Sequence, residues 1–140
     1  MNAAQLAERL QRDQAFAPYV TGWKVRPARE ARTAEWPQRV APELREALAI
    51  RGIRAPYTHQ AEAIERILDG EDLVIVSGTA SGKTLCYNVP VVQAILDDPQ
   101  ARAIYLFPTK ALAQDQLDEL YALVQAAEAD IKTFTYDGDT

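Results

Sequence analysis

Residues 73–84 read LVIVSGTASGKT, four apolar residues followed by a run of small ones. Four apolar residues without polar alternation are typical of a strand that is covered on both faces. The small residues allow the main chain to wrap a polyphosphate, so that several backbone N–H groups meet it at once. Gly82-Lys83-Thr84 then opens a helix, whose N-terminus adds partial positive charge. The segment therefore predicts a strand, a phosphate-binding loop and a helix in succession.

The residues of this loop are assigned separate roles. The nucleotide-binding candidates are Gly78, Thr79, Ala80, Ser81, Gly82, Lys83 and Thr84. We expect Lys83 to reach the β and γ phosphates of ATP and the Thr84 hydroxyl to ligate Mg²⁺, which makes these two the catalytic candidates. Ser77 stands where the strict phosphate-loop expression requires glycine. The alternative is a Gly/Ser turn with a solvated lysine, which the flanking strand and helix disfavour.

Helical and strand-like segments alternate after the loop. Residues 83–96 are helical in pattern, 103–107 (AIYLF) are strand-like, 110–126 carry leucines at helical spacing, and 131–136 (IKTFTY) are strand-like again. This order is produced by right-handed crossovers in a parallel sheet. The sequence therefore predicts an α/β fold whose parallel sheet is incomplete over this length.

The first 56 residues differ in composition from the rest. Residues 17–42 hold four of the eight prolines and both tryptophans, which interrupt regular structure. Helices are expected from Pro42 and again from Thr58 to Leu68. We therefore divide the chain into an N-terminal helical extension with a basic Pro/Trp-containing arm, residues 1–56, and the first part of an ATP-binding domain, residues 57–140.

The arm from Lys24 to Arg39 interleaves basic and aromatic side chains. Such a pattern can grip a nucleic-acid strand through phosphate contacts and stacking. We favour the other interpretation, in which Trp23 and Trp36 dock the arm onto the domain while the arginines stay solvated. Each tryptophan adjoins a glycine or proline, which suits docking.

Gln60 is the candidate for recognising the base of the nucleotide. It ends the segment Tyr57-Thr58-His59-Gln60, seventeen residues before Ser77. A glutamine amide offers one donor side and one acceptor side, which can meet adenine N7 and N6–H₂ together. This gives a reason for selecting ATP. The alternative is an ordinary polar residue in the first turn of a helix.

A second group of candidates follows the strand-like segment 103–107. Pro108 ends that segment, and Thr109 is placed to cap the next helix. The free N–H groups of the helix, the Thr109 hydroxyl and Lys110 can then point at a phosphate of single-stranded nucleic acid. Such contacts grip the backbone and do not depend on base sequence. The alternative is that Pro-Thr-Lys is only a good helix start.

These motifs resemble those of superfamily 2 (DEAD/DEAH-box-like) helicases. Residues 77–84 resemble motif I, 57–60 resemble the Q-type element, and 107–116 resemble motif Ia. The resemblance adds Gly138, because YDGDT follows the third strand where these enzymes place another loop facing nucleic acid; an Asp-Gly-Asp turn or weak cation site is the alternative. With PAREARTAEWP upstream, residues 26–140 look like the start of the MrfA-type, RecQ-related DNA repair helicases.

That resemblance implies a three-layer, RecA-like P-loop domain, ATP with Mg²⁺, and 3′ to 5′ translocation on DNA. ATP hydrolysis by a domain of this kind also needs a motif II Asp-Glu and arginines from a second RecA-like domain. Neither is present in these 140 residues, and Asp118-Glu119 falls in the middle of a helix. We expect an N-terminal fragment that is inactive alone. A small phosphoryl transferase and a non-catalytic nucleotide-binding module are the other classes considered.

Composition excludes several further classes. With 48% hydrophobic and 25% charged residues the chain is globular, and it has no apolar run long enough for a membrane span. The single cysteine, Cys86, excludes an internal disulfide framework, and the charged N-terminus lacks the apolar stretch of a signal peptide, so we expect a cytoplasmic protein. Residues 1–56 carry a net charge of +4 and residues 57–140 one of −9. Nucleic-acid binding therefore requires individually placed groups.

Overall fold

The computed structural model divides the chain into two compact units, Met1–Glu30 and Ala31–Thr140. The described residues are 2–24, 27, 30–78, 81–136 and 138. The boundary between the units lies between Glu30 and Ala31, whereas the sequence predicts a boundary after residue 56. All of the predicted site residues belong to the second unit.

The first unit contains helix α1, Ala3–Arg12, and a 3-10 turn, Ala17–Tyr19. A capping box starts α1: the Asn2 side chain accepts from the Gln5 N–H at 2.9 Å, and the Gln5 side chain accepts from the Asn2 N–H at 3.0 Å. No residue of α1 is buried, so local hydrogen bonds account for this helix better than core packing does.

Four helices make up the second unit: α2 (Pro42–Ile50), α3 (Thr58–Leu68), α4 (Lys83–Asp97) and α5 (Lys110–Ala126). The helices predicted from periodicity are confirmed almost to the residue. The residue that precedes α3 is Tyr57, whose N–H donates to the Gln60 side chain at 2.7 Å. Tyr57 is therefore the N-cap residue, and Thr58 is the first helical residue.

The core lies where these four helices meet. Its buried members are Val40, Leu44, Ala47, Leu48, Ile64, Val89, Val92, Leu120, Leu123 and Val124. The Gln93 amide is buried beside them but paired at both ends: its oxygen accepts from the Ala41 N–H at 2.6 Å and its nitrogen donates to Asp97 at 2.8 Å. A buried amide that is paired at both its oxygen and its nitrogen fixes the register of α2 on α4 and offsets most of the cost of burying it.

The C-terminal part of the arm docks on the segment that leads into α3. Ala34 N–H donates to the Pro56 carbonyl, Thr58 N–H donates to the Arg32 carbonyl, both at 2.9 Å, and the two segments form an antiparallel bridge. Trp36 packs against the core and its indole N–H donates to the Arg54 carbonyl at 3.1 Å. Docking through Trp36 is thus confirmed, whereas Arg26 and Arg29 lie outside the described residues.

The predicted sheet is not formed in the part of the chain that the structure describes. Residues 73–76, 103–107 and 131–136 have no strand ladder. The only strand-type pairing among the described residues is the isolated bridge between Thr33 and Tyr57. The helical half of the predicted α/β pattern is therefore present without the strand half.

The side chains of these three segments explain the difference. Half-buried and exposed residues alternate along 73–76, 104–107 and 131–134, as successive side chains of an extended backbone do. The outward residues are 88% to 91% exposed: Val74, Val76, Ile104, Leu106, Phe134 and Tyr136. Parallel sheets are stable when both faces are covered, and here the described helices cover one side only. The burial that would align the strands is missing from the second side.

No helix in the described ranges combines the length and the apolar character needed to cross a membrane.

Replacing Ile64 by alanine should lower the free energy of unfolding by about 2–5 kcal/mol, because its side chain is fully buried and the substitution leaves a cavity. The matched control is Ile50→Ala, since Ile50 is 74% exposed and should cost less than about 0.5 kcal/mol. Urea unfolding followed by circular dichroism measures both. If both variants lost the same free energy of unfolding, the assignment of Ile64 to the core would be wrong.

Candidate functional site

The N-terminus of α4 is shaped by Gly82. Its φ of +71° lies in the left-handed region, which costs other residues free energy and glycine very little. A Cβ at this position would also collide with the side-chain nitrogen of Gln60. No side chain caps the helix at Gly82, and the Leu85 N–H donates to the Gly82 carbonyl at 3.2 Å, so the N–H groups ahead of Leu85 are the ones that can meet an outside acceptor. A helix start of this kind suits an anion.

Lys83 lies over the loop that precedes α4. Its ammonium donates to the Gly78 carbonyl at 2.8 Å and to the Ser77 carbonyl at 3.2 Å. The hydroxyl oxygens of Ser77 and Ser81, each 3.3 Å away, complete its surroundings. All of these partners are neutral, and an anionic oxygen makes a stronger hydrogen bond to an ammonium than a neutral one does. A phosphate entering the loop could therefore take over the Lys83 contacts.

Gln60 and His59 tie the start of α3 to the same loop. The Gln60 amide is 4% exposed, and its nitrogen donates to the Gly82 carbonyl at 2.9 Å. The His59 Nε2 lies 3.1 Å from the Ser81 carbonyl, which can only accept, so Nε2 is the donor. The rings of Tyr57 and His59 stack with their centroids 5.8 Å apart. These contacts give Tyr57 and His59 packing and stacking roles beside the loop.

The Thr84 side chain joins the start of α4 to α5. Its hydroxyl donates to the side-chain oxygen of Gln116 at 3.0 Å, and the Tyr87 hydroxyl joins the same oxygen. The side chain is only half-buried, so a cation could approach it. Sequence reasoning missed Gln116 and Tyr87. The available signal was Gln116 itself, a polar residue on the face of α5 that otherwise carries Leu112, Leu120 and Leu123.

Two groups at α4 have raised pKa values, the Cys86 thiol and the Tyr105 hydroxyl, which contacts the helix through Asn88. Burial raises the pKa of the Cys86 thiol, and the opposing backbone hydrogen bond and the charge of Lys83 do not reverse this effect. Burial also raises the pKa of the Tyr105 hydroxyl, which donates to Asn88 at 3.0 Å. Cys86 therefore stays a neutral thiol at neutral pH. Its position favours a packing role.

The predicted nucleic-acid contacts lie at the start of α5. The Thr109 hydroxyl accepts from the Leu112 N–H at 3.2 Å, so Thr109 is the N-cap that the sequence predicts. Pro108 and Lys110 are exposed beside it. Gly138 is exposed as well, but its neighbours 137, 139 and 140 lie outside the described residues. The structure thus places three of these four candidates together.

Five of the eight nucleotide-binding candidates are also brought together. Gly78, Ser81, Gly82, Lys83 and Gln60 are joined by the contacts given above. Thr84 lies one residue further into α4. Thr79 and Ala80 lie outside the described residues.

Comparison with known proteins identifies the family. The family model for DEAD/DEAH box helicases matches residues 57–140. This chain belongs to that family. The resemblance noted in the motifs is confirmed, and the helicase interpretation is favoured over a small phosphoryl transferase or an unrelated nucleotide-binding module.

Several helicases are similar to this family member over a limited part of their length. The uncharacterized ATP-dependent helicase YprA of Bacillus subtilis is 51% identical over 121 residues, which cover 86% of this chain and 16% of YprA. The ATP-dependent helicase hrq1 of Schizosaccharomyces pombe is 38% identical over 117 residues, covering 81% of this chain and 11% of hrq1. The chain therefore spans about a sixth or less of these relatives.

Solved structures give the same picture. The crystal structure of the DUF1998 helicase MrfA bound to DNA and AMPPNP matches with a TM-score of 0.84 and 46% identity. The match covers 100% of this chain and 19% of MrfA. The agreement supports the P-loop architecture of the DEAD/DEAH box family for this chain, although the sheet is not formed in its described residues.

Gly82→Ala should destabilise the protein more than Gly70→Ala. Both glycines have a positive φ, which costs an alanine about 1–2 kcal/mol. At position 82 the new Cβ would collide with the Gln60 side chain, whereas at position 70 nothing lies within 4 Å of it. Urea unfolding of the two variants gives the comparison. Equal losses would mean that the Gln60 contact does not constrain the loop.

Proposed function

We propose that this chain is the ATP-binding and nucleic-acid-binding N-terminal part of an ATP-dependent DNA helicase that acts in DNA repair. The observation that carries the proposal is the Lys83 ammonium held 2.8 Å from the Gly78 carbonyl, above an uncapped helix start. Family membership and the similarity to MrfA, crystallised with DNA and AMPPNP, support it. Movement from 3′ to 5′ is part of the proposal and comes from the motif resemblance.

The loop would hold the triphosphate of ATP. The Lys83 contacts to Ser77 and Gly78 keep the ammonium above the loop. When a triphosphate binds, Lys83 would exchange these neutral partners for phosphate oxygens, and the free N–H groups of α4 would meet the same anion. Gly82 permits this approach because it has no side chain.

Thr84 would supply a ligand to Mg²⁺, which when bound neutralises developing charge on the phosphates. The residues present fit such a site, because Mg²⁺ in phosphate-transfer enzymes keeps several waters and takes few protein ligands besides the phosphates. The described ranges contain no cluster of three His, Cys, Asp or Glu side chains that could hold a metal without a nucleotide. Thr84 therefore completes a site that the nucleotide itself creates.

Gln60 would select adenine. Its amide oxygen accepts one hydrogen bond from Tyr57 and its nitrogen donates one to Gly82. An amide oxygen can accept two hydrogen bonds and an amide nitrogen can donate two, so one of each remains for the base. The two bonds already made would hold the amide in a fixed orientation, which favours discrimination between adenine and guanine.

The start of α5 would contact the backbone of single-stranded DNA. Pro108, Thr109 and Lys110 present an exposed helix N-terminus with one cation, and Gly138 would add a second loop. Contacts of this type fix a strand without reading its bases. We therefore propose binding with no strong sequence specificity.

The three extended segments would form the parallel sheet of a RecA-like domain in the complete protein. Their outward side chains are about 90% exposed in this chain, an apolar surface that a soluble domain normally covers. The rest of a protein several times longer, as the relatives are, could supply that cover together with the motif II carboxylates and a second RecA-like domain. The 140 residues alone would then bind ligands without catalysing hydrolysis.

Lys83→Ala in the full-length protein should lower DNA-stimulated ATP turnover by about 10²-fold or more, because the phosphates lose their main cationic contact. DNA binding should be largely retained. Arg12→Ala is the control, since Arg12 is an exposed cation at the end of α1, outside the loop and outside the three extended segments. Unchanged turnover in the Lys83 variant would remove the phosphate-binding role.

Lys110→Ala should reduce the steepness with which salt weakens single-stranded DNA binding. Loss of one phosphate contact lowers the slope of log affinity against log salt concentration by about 0.7. Lys110→Arg keeps the charge and should keep the slope, which makes it the control. Affinities are measured by fluorescence anisotropy across a salt series. An unchanged slope in the alanine variant would contradict the phosphate contact.

A further inference from the structure

Three side chains meet in a hydrogen-bonded cluster between α4 and α5. The Thr84 hydroxyl lies 3.0 Å from the Gln116 side-chain oxygen, the Tyr87 hydroxyl lies 2.5 Å from the same oxygen, and the two hydroxyls are 3.4 Å apart. Thr84 and Tyr87 are three residues apart on α4, whereas Gln116 comes from α5. The cluster therefore joins the candidate Mg²⁺ ligand to a different helix.

The hydrogens in this cluster can be assigned from chemistry. An amide oxygen only accepts, so both hydroxyls that contact Gln116 must donate to it. The Tyr87 hydroxyl has one hydrogen, and its contact to Gln116 is much shorter than its contact to Thr84. The Thr84 hydrogen is thus directed at Gln116, and the lone pairs of the Thr84 oxygen point elsewhere.

Gln116 is held firmly enough to impose this orientation. Leu120, Leu123 and Val124 bury the following turns of α5 in the core. Glu119 forms an ion pair with Arg51 of α2, with a nitrogen to oxygen distance of 2.7 Å. The Tyr87 hydroxyl fixes the amide from the other side. The acceptor is therefore in place before any ligand arrives.

We propose that Gln116 is a positioning residue for the divalent cation that accompanies the nucleotide. By taking the Thr84 hydrogen, it leaves a lone pair of the Thr84 oxygen free to face the cation. Without this acceptor the hydroxyl can rotate its hydrogen towards the cation, an orientation that a metal ligand must avoid. The inference rests on the proposed ATP-binding function and assigns a role to a residue outside the phosphate loop.

The test compares nucleotide affinity with and without Mg²⁺ in the full-length protein. Binding of a non-hydrolysable ATP analogue is measured by calorimetry in Mg²⁺ and in EDTA, and the ratio of the two affinities is the readout. Gln116→Leu should lower this ratio about three- to tenfold, the range expected for one hydrogen bond, while the affinity in EDTA stays the same. Gln114→Leu is the matched control, because Gln114 is exposed and donates to Asp118 on its own helix at 2.9 Å.

Two further variants separate positioning from a general structural effect. In a Thr84→Ala background, Gln116→Leu should cause no further fall in the ratio, because its partner is already absent. Gln116→Glu keeps an acceptor oxygen and should keep the ratio at or above that of the wild type, which also covers the case in which the leucine variant does not fold.

The outcomes distinguish this inference from the function on which it rests. Wild-type protein that binds no nucleotide at all would overturn the proposed function and this role together. Wild-type protein that shows the Mg²⁺ effect, with a folded Gln116→Leu variant showing the same ratio, would overturn the positioning role alone. The positioning role would also be overturned if Gln116→Leu lowered the affinity ratio as much in the Thr84→Ala background as in the wild type. The same holds if Gln116→Glu lowered the ratio as much as Gln116→Leu does.

Discussion

At residue 82 the backbone adopts a φ of +71°, and the Gln60 amide lies where a side chain would otherwise begin. Much of the site depends on this close packing. It joins the first turn of α3 to the start of α4 through the hydrogen bond from Gln60 to the Gly82 carbonyl. Because the helix begins there, the directions of Lys83 and Thr84 follow: one side chain lies over the loop and the next points to α5.

The core holds the helix ends in these positions. Buried side chains of α2, α3, α4 and α5 form one cluster, and the Gln93 amide pairs α4 with the start of α2. The Lys83 and Thr109 side chains then lie at the N-termini of α4 and α5, where the helix dipole favours an anion. This placement outweighs the acidic composition of residues 57–140, because a local helix terminus with one lysine acts on a phosphate at contact distance, whereas exposed carboxylates further away are screened by salt.

Sequence patterns anticipated the helices and most of the site, but not the sheet. The periodicity of leucines placed α5, and the Gly-Lys-Thr triplet placed the start of α4, since both signals are local. Strands were predicted at 73–76 and 103–107 from short apolar runs, but no ladder forms there among the described residues, because pairing requires distant partners and cover on the second face. Gln116 was missed for a related reason: its importance lies in a contact with Thr84, thirty-two residues earlier.

Features that depend on neighbours along the chain could be inferred from the residues alone. They include the helix boundaries, the need for glycine at position 82, the Thr109 cap and the membership of a helicase family. The partners of each polar group could not be inferred in this way. Folding brings Gln60 to the Gly82 carbonyl, the Lys83 ammonium to the Gly78 carbonyl and the Thr84 hydroxyl to Gln116. A side chain's nearest donors and acceptors are set by how helices pack, and packing depends on the whole core.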